Sequence, residues 1–454
     1  MTRTVTLVLV SPGGELLGET EPFEPPSPWW QQVDDFGPGL QVLRLLYSDT
    51  AGPPGGHVTY LAELTDEAAN IRKIRRRTSA ERNTATIPSS AATANNPSSA
   101  ATANNPSSAA TANNPSSAGA AATSSSPSSG AGGRDHRAYR GDWREPHAKR
   151  APYAELGGPT ASIEWATGIV PGTTAHQCRT WNLSAIWRFD DEDGNPVAWL
   201  KQVPRFFAHE PHAIRLIDGV APGLVPQLIA DGEDGRMLLA HAPGEDRYGA
   251  GADLCARIAA AFHPIQAHFA VHTDALARIP DARLDKTLAE YVRIAEPYYD
   301  GIPGLRELIA DLPRRFAEIA DCGLPDTLVH GDLHPGNVRT DDAGRITIMD
   351  WGDCVLGHPA LDILRLTDAG TNGSERGPSL PGRDGLLAAW ADRWREGVPG
   401  SDPERAVELM RPVADLRSAL IYSEFLENIE PTEWPYHATD VPEGLSAAVA
   451  TARG

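Results

Sequence analysis

The chain has 454 residues, of which 60 are acidic and 40 basic, and 41% of all residues are hydrophobic. This much apolar material can form a large core, which excludes a wholly disordered chain. The net charge of −20 argues against non-specific binding to nucleic acid or an anionic membrane, because both would repel an acidic surface. We therefore expect a partner that is small or cationic.

The cysteines and the apolar segments predict a cytoplasmic protein. Its four cysteines are isolated in the sequence and form no CxxC pair, which argues against a disulfide framework or a zinc site. No segment approaches the ~18 uninterrupted apolar residues of a membrane span. The apolar run at residues 5–10 is also too short for a signal peptide.

Residues 1–70 predict a small β-rich or α+β module of unknown role. Apolar runs at 5–10, 40–47 and 57–63 alternate with Gly- and Pro-rich turns, a pattern typical of short strands. Trp29 and Trp30 are adjacent. Such a pair could be a ligand platform, but in so small a unit it more often belongs to the core.

Residues 71–150 predict a flexible linker. A nine-residue repeat begins at Pro88 and recurs at Pro97 and Pro106, and residues 88–133 contain no charged and no aromatic side chain. Such a segment cannot offset the conformational entropy of folding. Basic residues flank it on both sides. They fit either an arm that binds RNA or an anionic ligand, or a solvated tether drawn to the acidic body, and we favour the tether.

The remaining residues, 151–454, begin with strand patterns and continue with helical ones. Runs at 183–189 and 197–203 surround an acidic turn and predict a hairpin. After about residue 249 the pattern becomes that of amphipathic helices, for example at 253–269 and 284–295. A small sheet followed by a larger helical part predicts two lobes with a cleft between them.

One segment of this part, residues 328–353, combines the side chains of a metal-dependent reaction. Asp332 lies in a Gly- and Pro-rich loop, Asn337 follows, and Asp350 comes after a hairpin that turns at 341–344. Folding back the hairpin brings Asn337 and Asp350 to the same end of it. An amide and a carboxylate oxygen together suit Mg²⁺, and Asp332 remains free to face a substrate.

These residues closely resemble the aminoglycoside phosphotransferase and choline kinase family. Its catalytic loop reads His-Gly-Asp-x-x-x-x-Asn, and residues 330–337 match every motif position. Residues 348–353 supply both acids of its Ile-Asp-Trp-x-Asp motif, with Met349 in the usual isoleucine position. The resemblance covers about residues 151–454. It implies an α+β, two-lobed protein-kinase-like fold, with a small β-rich N-lobe and a larger helical C-lobe, and it implies ATP and Mg²⁺ as cofactors.

The resemblance also implies roles for the residues of the two motifs. Asp332 would be the catalytic base that accepts the proton of an acceptor hydroxyl. Asn337 and Asp350 would bind Mg²⁺, and Asp353 is a weaker candidate for the outer shell of the metal.

Other residues take supporting or nucleotide-binding roles by the same resemblance. His330 would brace the loop, and Asp362 would fix the start of a neighbouring helix. Lys201, on an apolar strand, would bind the ATP phosphates and pair with Glu210 at the start of the next helix. Residues 236–243 resemble the strand and hinge that receive adenine through backbone groups.

The acceptor is not specified by these motifs. Glu424 and Glu427 could face a cationic acceptor, although two acids three residues apart on a helix more often form a solvated face. Residues 166–189 contain no GxGxxG, so no phosphate-covering loop is located by motif.

We therefore interpret the chain as an ATP- and Mg²⁺-dependent kinase that phosphorylates a hydroxyl group of a small molecule. The alternative is a pseudokinase-type binding protein that acts through its N-terminal module or basic linker. Degenerate kinases usually lose an acid or the asparagine, and Asp332, Asn337 and Asp350 are all retained here.

Overall fold

A computed structural model of the chain describes residues 2–37, 39–64, 143–368 and 382–453. The nine-residue repeat and the basic residues that precede it lie outside these ranges. The linker at 71–150 therefore stays a prediction for its residues up to 142.

The N-terminal part forms a four-stranded sheet. Its strands are β1 (Arg3–Val10), β2 (Leu16–Glu19), β3 (Leu40–Ser48) and β4 (Gly56–Leu64). They are arranged in the order β2-β1-β4-β3, with β1 and β4 parallel and the other pairs antiparallel. Side chains alternate along β1, so Val5 and Leu7 enter one core cluster while Val8 and Val10 enter another. The predicted strands of this part are confirmed, and Trp30 is buried in the core.

This N-terminal sheet shares its core with later parts of the chain. One of its apolar clusters also contains four distant side chains: Trp181, Leu183, Phe425 and Tyr436. The side-chain amide of Gln177 bonds to both backbone groups of Val42, at 2.7 and 2.9 Å. The Leu45 N–H donates to Glu433 Oε1 at 2.8 Å, across 388 residues of chain. Later parts of the chain therefore cover one face of the sheet and bond to its edge strand β3.

A second, five-stranded sheet forms the small lobe. Its strands are β5 (Thr174–Thr180), β6 (Ala185–Asp190), β7 (Pro196–Gln202), β8 (Leu228–Asp231) and β9 (Arg236–Ala240). They are antiparallel, in the order β5-β6-β7-β9-β8. Two helices accompany the sheet: α1 (Gly158–Ile169) and α2 (Glu210–Val220). The predicted hairpin is confirmed as β6 and β7.

The large lobe is helical. Its helices are α3 (Ala252–Val271), α4 (Leu284–Ala295), α5 (Leu305–Asp321), α6 (Ala360–Asp368), α7 (Arg383–Gly397), α8 (Pro403–Asn428) and α9 (Asp440–Arg453). The helices predicted at 253–269 and 284–295 are confirmed as α3 and α4. The largest apolar cluster of the chain lies among these helices and extends to Met237 and Leu239 of the small lobe.

Short strands carry the motif residues between the two lobes. They are β10 (Glu245–Asp246), β11 (Thr327–Val329), β12 (Val338–Thr340), β13 (Ile346–Ile348) and β14 (Val355–Gly357). β12 and β13 pair as the predicted antiparallel hairpin, and β11 pairs with β14. The loop with Asp332 therefore connects β11 to β12, and the loop with Asp350 connects β13 to β14.

The result is an α+β, two-lobed kinase-like fold, as predicted. Among the residues that the structure describes, no helix combines the length and the apolar character needed to cross a membrane. The four cysteines are buried and unbridged.

Candidate active site

A cleft of about 620 Å³, open to solvent, lies between the small sheet and the motif loops. Its apolar lining comes from both lobes: Ile186, Trp199, Pro226, Leu239, Ala240, Ala242 and Met349. Its charged lining consists of Lys201, Glu210, Asp246 and Asp350. The cleft thus has an apolar wall for a flat ring and a charged end for polar groups.

Lys201 lies at the charged end of the cleft in a three-residue ion cluster. Alternation along β7 sends Leu200 into the core of the small lobe and Lys201 to the opposite face. The Lys201 Nζ lies 2.7 Å from Glu210 Oε1 and 2.6 Å from Asp350 Oδ1. Burial lowers the pKa of Lys201, but the two carboxylates outweigh it and hold that pKa above its usual range. The structure therefore brings the predicted Lys201 and Glu210 together.

Asp350 adopts a backbone conformation that is uncommon for a residue other than glycine. Its φ is 61°, in the left-handed region, and such conformations concentrate at functional sites. The next residue, Trp351, donates its N–H to Glu210 Oε1 at 3.1 Å. One quarter (25%) of the Asp350 side chain remains exposed, so this carboxylate has room for a further ligand beside Lys201.

His330 braces the loop that carries Asp332. The imidazole is fully buried, and burial lowers its pKa to about 4, so it is neutral at physiological pH. Its Nε2–H donates to the Met349 carbonyl at 2.9 Å, and its Nδ1 accepts from the Asp332 N–H at 3.2 Å. The ring thereby fixes the distance between the two motif loops.

Asp362 binds the same loop from the opposite side. Its carboxylate accepts from the N–H groups of His330 and Gly331, both at 3.0 Å, and from Gln266 Nε2 at 3.0 Å. Burial raises the pKa of Asp362 to about 7. Asp362 also lies in the first turn of α6, so it connects the predicted helix start to the loop that carries Asp332.

The carboxylate of Asp332 is held by three side chains. Oδ1 accepts from Arg365 Nε at 2.7 Å, Oδ2 accepts from Asn337 Nδ2 at 3.0 Å, and Oδ2 lies 3.5 Å from His334 Nε2. Burial raises the pKa of Asp332, but Arg365 and His334 outweigh it and leave that pKa well below its usual range. Asp332 is therefore ionised at physiological pH.

Asn337 connects the two motif loops. Its side-chain Nδ2 donates to Asp332. Its backbone carbonyl accepts from the Met349 N–H at 2.8 Å. Within the described residues, its Oδ1 is buried and has no hydrogen-bond partner. A buried oxygen without a partner is costly unless a ligand satisfies it. Together with the Asp350 carboxylate it fits a hard divalent cation such as Mg²⁺.

The described ranges contain no group of three or more His, Cys, Asp or Glu side chains arranged for a metal. Asp353 lies on the same loop as Asp350 and is half-buried. Burial and the nearby Asp332 and Asp350 raise its pKa to about 8.

The two acids considered for a cationic acceptor, Glu424 and Glu427, are exposed residues of α8. Glu427 is 51% exposed and pairs with Arg293 of α4, and it also accepts from Ser423 at 3.3 Å. Neither Glu424 nor Glu427 lines the cleft. Their arrangement fits the solvated face that was weighed as the alternative.

Arg365, like His334, is a residue of this site that the sequence reasoning missed. It belongs to α6, one helical turn after Asp362, and its Nε reaches Asp332. The one signal in the sequence was its position three residues after Asp362, the acid that bonds to the Asp332 loop. Pairing with Asp332 could not be read from sequence because the two residues are 33 positions apart.

A comparison with protein-family models finds the phosphotransferase enzyme family at residues 197–406. This stretch includes Lys201, the Asp332 loop, Asp350 and Arg365. No curated protein sequence matches the chain.

Solved structures of small-molecule kinases are similar to the two lobes. A choline kinase from Streptococcus pneumoniae is 14% identical, covers 64% of this chain and 99% of that chain, and gives a TM-score of 0.46. A choline kinase from Cryptosporidium parvum is 13% identical, with 65% and 95% coverage and a TM-score of 0.46. The macrolide 2′-phosphotransferase of Brachybacterium faecium is 18% identical, with 59% and 88% coverage and a TM-score of 0.41.

Proposed function

We propose that this chain, whose residues 197–406 match the phosphotransferase enzyme family, transfers the γ-phosphoryl group of ATP to a hydroxyl of a small molecule. The observation that carries the proposal is a continuous set of contacts that leads from the cleft lining to Asp332. Lys201 bonds to Asp350, Met349 bonds to Asn337, and Asn337 bonds to Asp332. These contacts connect Lys201 and Asp350, which line the cleft, to the loop that carries Asn337 and Asp332.

The donor would lie along the cleft with its adenine on the apolar wall and its phosphates at Lys201. Glu210 and Asp350 hold the Lys201 ammonium in position, so little reorganisation is needed when phosphates arrive. Asn337 Oδ1 and Asp350 would hold Mg²⁺, which when bound neutralises negative charge on the transferring group.

Asp332 would orient the acceptor hydroxyl and receive its proton. The hydroxyl oxygen forms a bond to the γ-phosphorus while the bond from that phosphorus to the β,γ-bridging oxygen breaks, and ADP leaves with the electron pair. The low pKa of Asp332 makes it a weak base. A weak base suffices because proton loss is late in the loose transition state of this reaction, and positioning then contributes most of the catalysis.

The variant Asp332→Asn tests this function because it keeps the shape of the side chain and removes its negative charge. We expect ADP release in the presence of acceptors to fall by at least ~10²-fold. Stabilisation of the protein by ATP and Mg²⁺ in a thermal-shift assay should remain.

The exposed Asp342 in the turn of the β12–β13 hairpin offers a matched control. Asp342→Asn should retain wild-type turnover. Unchanged turnover in Asp332→Asn, or no stabilisation of the wild type at millimolar ATP, would contradict the proposed function and favour a binding protein.

A further inference from the structure

We propose that Arg365 makes the acceptor site selective for a small hydroxylated oxyanion, either a hydroxy acid or a phosphorylated alcohol. The inference rests on the proposed function, because Asp332 is the group that an acceptor hydroxyl would approach. It concerns a different property, namely the charge of the acceptor.

The position of Arg365 follows from the two oxygens of Asp332. Oδ2 is turned toward its own loop, where Asn337 Nδ2 lies at 3.0 Å and His334 Nε2 at 3.5 Å. Oδ1 receives Arg365 Nε at 2.7 Å. An acceptor hydroxyl that bonds to Oδ1 therefore shares this oxygen with the guanidinium and lies directly beside it.

Arg365 is the more accessible partner of this ion pair. Its side chain is 24% exposed, whereas that of Asp332 is 11% exposed. Of its five N–H donors, the one on Nε is used by Asp332. In the described ranges, the two Nη atoms form no hydrogen bond, so the outer edge of the guanidinium is available.

The available edge has a defined ligand chemistry. The two Nη groups form a planar fork that matches the two oxygens of a carboxylate or phosphate. Asp362 clamps the loop and Arg365 lies one turn further along the same helix, so the fork is held at a fixed position relative to Asp332. Fixed donors bind an oxyanion with a small entropic loss.

The charges nearby do not favour a cationic acceptor. Glu427, one of the two acids considered for a cationic acceptor, pairs with Arg293 instead. The negative charge of Asp332 is already matched by Arg365. An ammonium group next to the hydroxyl would therefore lie beside the guanidinium, with Asp353 as the further acid near Arg365.

Matched acceptor pairs test the inference by ADP release with ATP and Mg²⁺. D-Glycerate is compared with glyceramide, and glycerol 3-phosphate with glycerol, while choline serves as the cationic probe. We expect kcat/KM at least tenfold higher for an anionic member than for its neutral partner. The glycerate and glycerol 3-phosphate arms distinguish a carboxylate from a phosphate.

The variant Arg365→Gln separates selectivity from support of Asp332. Turnover should fall for every acceptor, because Asp332 loses a partner, but the ratio between anionic and neutral members should collapse toward one. A purely structural role would lower both members equally and leave the ratio unchanged. Arg293→Gln removes a surface arginine of the pair with Glu427 and should leave both rates and ratio unchanged.

If none of these acceptors is turned over, binding of simple oxyanions tests whether Arg365 forms an oxyanion site. With Mg²⁺ and a non-hydrolysable ATP analogue filling the donor pocket, malonate and inorganic phosphate are titrated calorimetrically. We expect at least one to bind, and Arg365→Gln to weaken it at least tenfold.

Three results would overturn the inference: preference for choline or a neutral acceptor, an anionic preference that survives in Arg365→Gln, or no oxyanion binding to the wild type in the absence of turnover. A preference for a neutral or cationic acceptor would refute this inference while supporting the proposed function. Failure of ATP to bind would refute the proposed function itself.

Discussion

Replacing Lys201 by methionine is expected to destabilise the protein as well as to abolish phosphoryl transfer. Methionine keeps the apolar part of the side chain and removes the ammonium group that lies 2.7 Å from Glu210 and 2.6 Å from Asp350. Glu210 is buried, and in the described residues its Oε2 has no hydrogen-bond partner. The substitution therefore leaves a buried carboxylate without its cation.

The magnitude follows from the burial of the two acids. Removal of one partner of a buried ion pair costs about 3–5 kcal/mol. Asp350 is partly exposed and can be solvated, so Glu210 dominates and the lower end, ~3 kcal/mol, applies. At ~2 °C per kcal/mol for a large domain, the melting temperature should fall by ~6 °C.

Urea unfolding followed by tryptophan fluorescence measures this loss, and a double variant identifies its cause. Lys201→Met with Glu210→Gln removes the unpaired charge, so most of the stability should return while ADP release stays absent. Lys286→Met, which breaks an exposed pair with Asp285, should change the unfolding free energy by less than ~0.5 kcal/mol. Wild-type stability in Lys201→Met, or no recovery in the double variant, would refute the reasoning.

Three further changes test the catalytic loop and the N-terminal sheet by urea unfolding. Because burial raises the pKa of Asp362 to about 7, the folded chain keeps a proton that the unfolded chain releases above about pH 4. The stability of the wild type relative to Asp362→Asn should therefore fall by about 4 kcal/mol between pH 4 and pH 7, and a flat difference would contradict this. Gly331 has a φ of +85°, and a Cβ added there would collide with the backbone carbonyl of Asp353. Gly172 has a similar φ of +78°, but a Cβ added there would meet open space. Gly172→Ala should lose about 1–2 kcal/mol and Gly331→Ala clearly more, and equal losses would rule out the close contact. Deletion of residues 1–133 should lower the urea midpoint and expose apolar surface to a fluorescent dye, since the sheet covers Trp181 and Phe425, while an unchanged midpoint would indicate an independent module.

Local sequence patterns were sufficient to predict the strands, the helices and the hairpin. Turn residues at 341–344 and alternating apolar residues act over short distances, so their consequences can be read in one window of sequence. Lys201 was also predictable in this way, because a single cation on an otherwise apolar strand requires an anion, and Glu210 follows within nine residues.

Contacts between distant side chains could not be predicted in the same way. Asp362 lies at the expected helix start, but its bonds to the loop 31 and 32 residues earlier were not predicted. Arg365 likewise contacts Asp332, which lies 33 positions earlier in the sequence. The packing of the N-terminal sheet against Trp181 and Phe425 depends on the completed fold, and no periodicity in residues 1–70 encodes it.

The hydrogen bond between Leu45 and Glu433 also has a consequence for the order of folding during synthesis. The two residues are 388 positions apart, and a ribosome adds about 5–20 residues per second. The N-terminal strands therefore leave the ribosome about 20–80 s before their partners at Phe425, Glu433 and Tyr436 exist. During that time the apolar side chains that pack against Phe425 and Tyr436 in the folded chain lack these two partners.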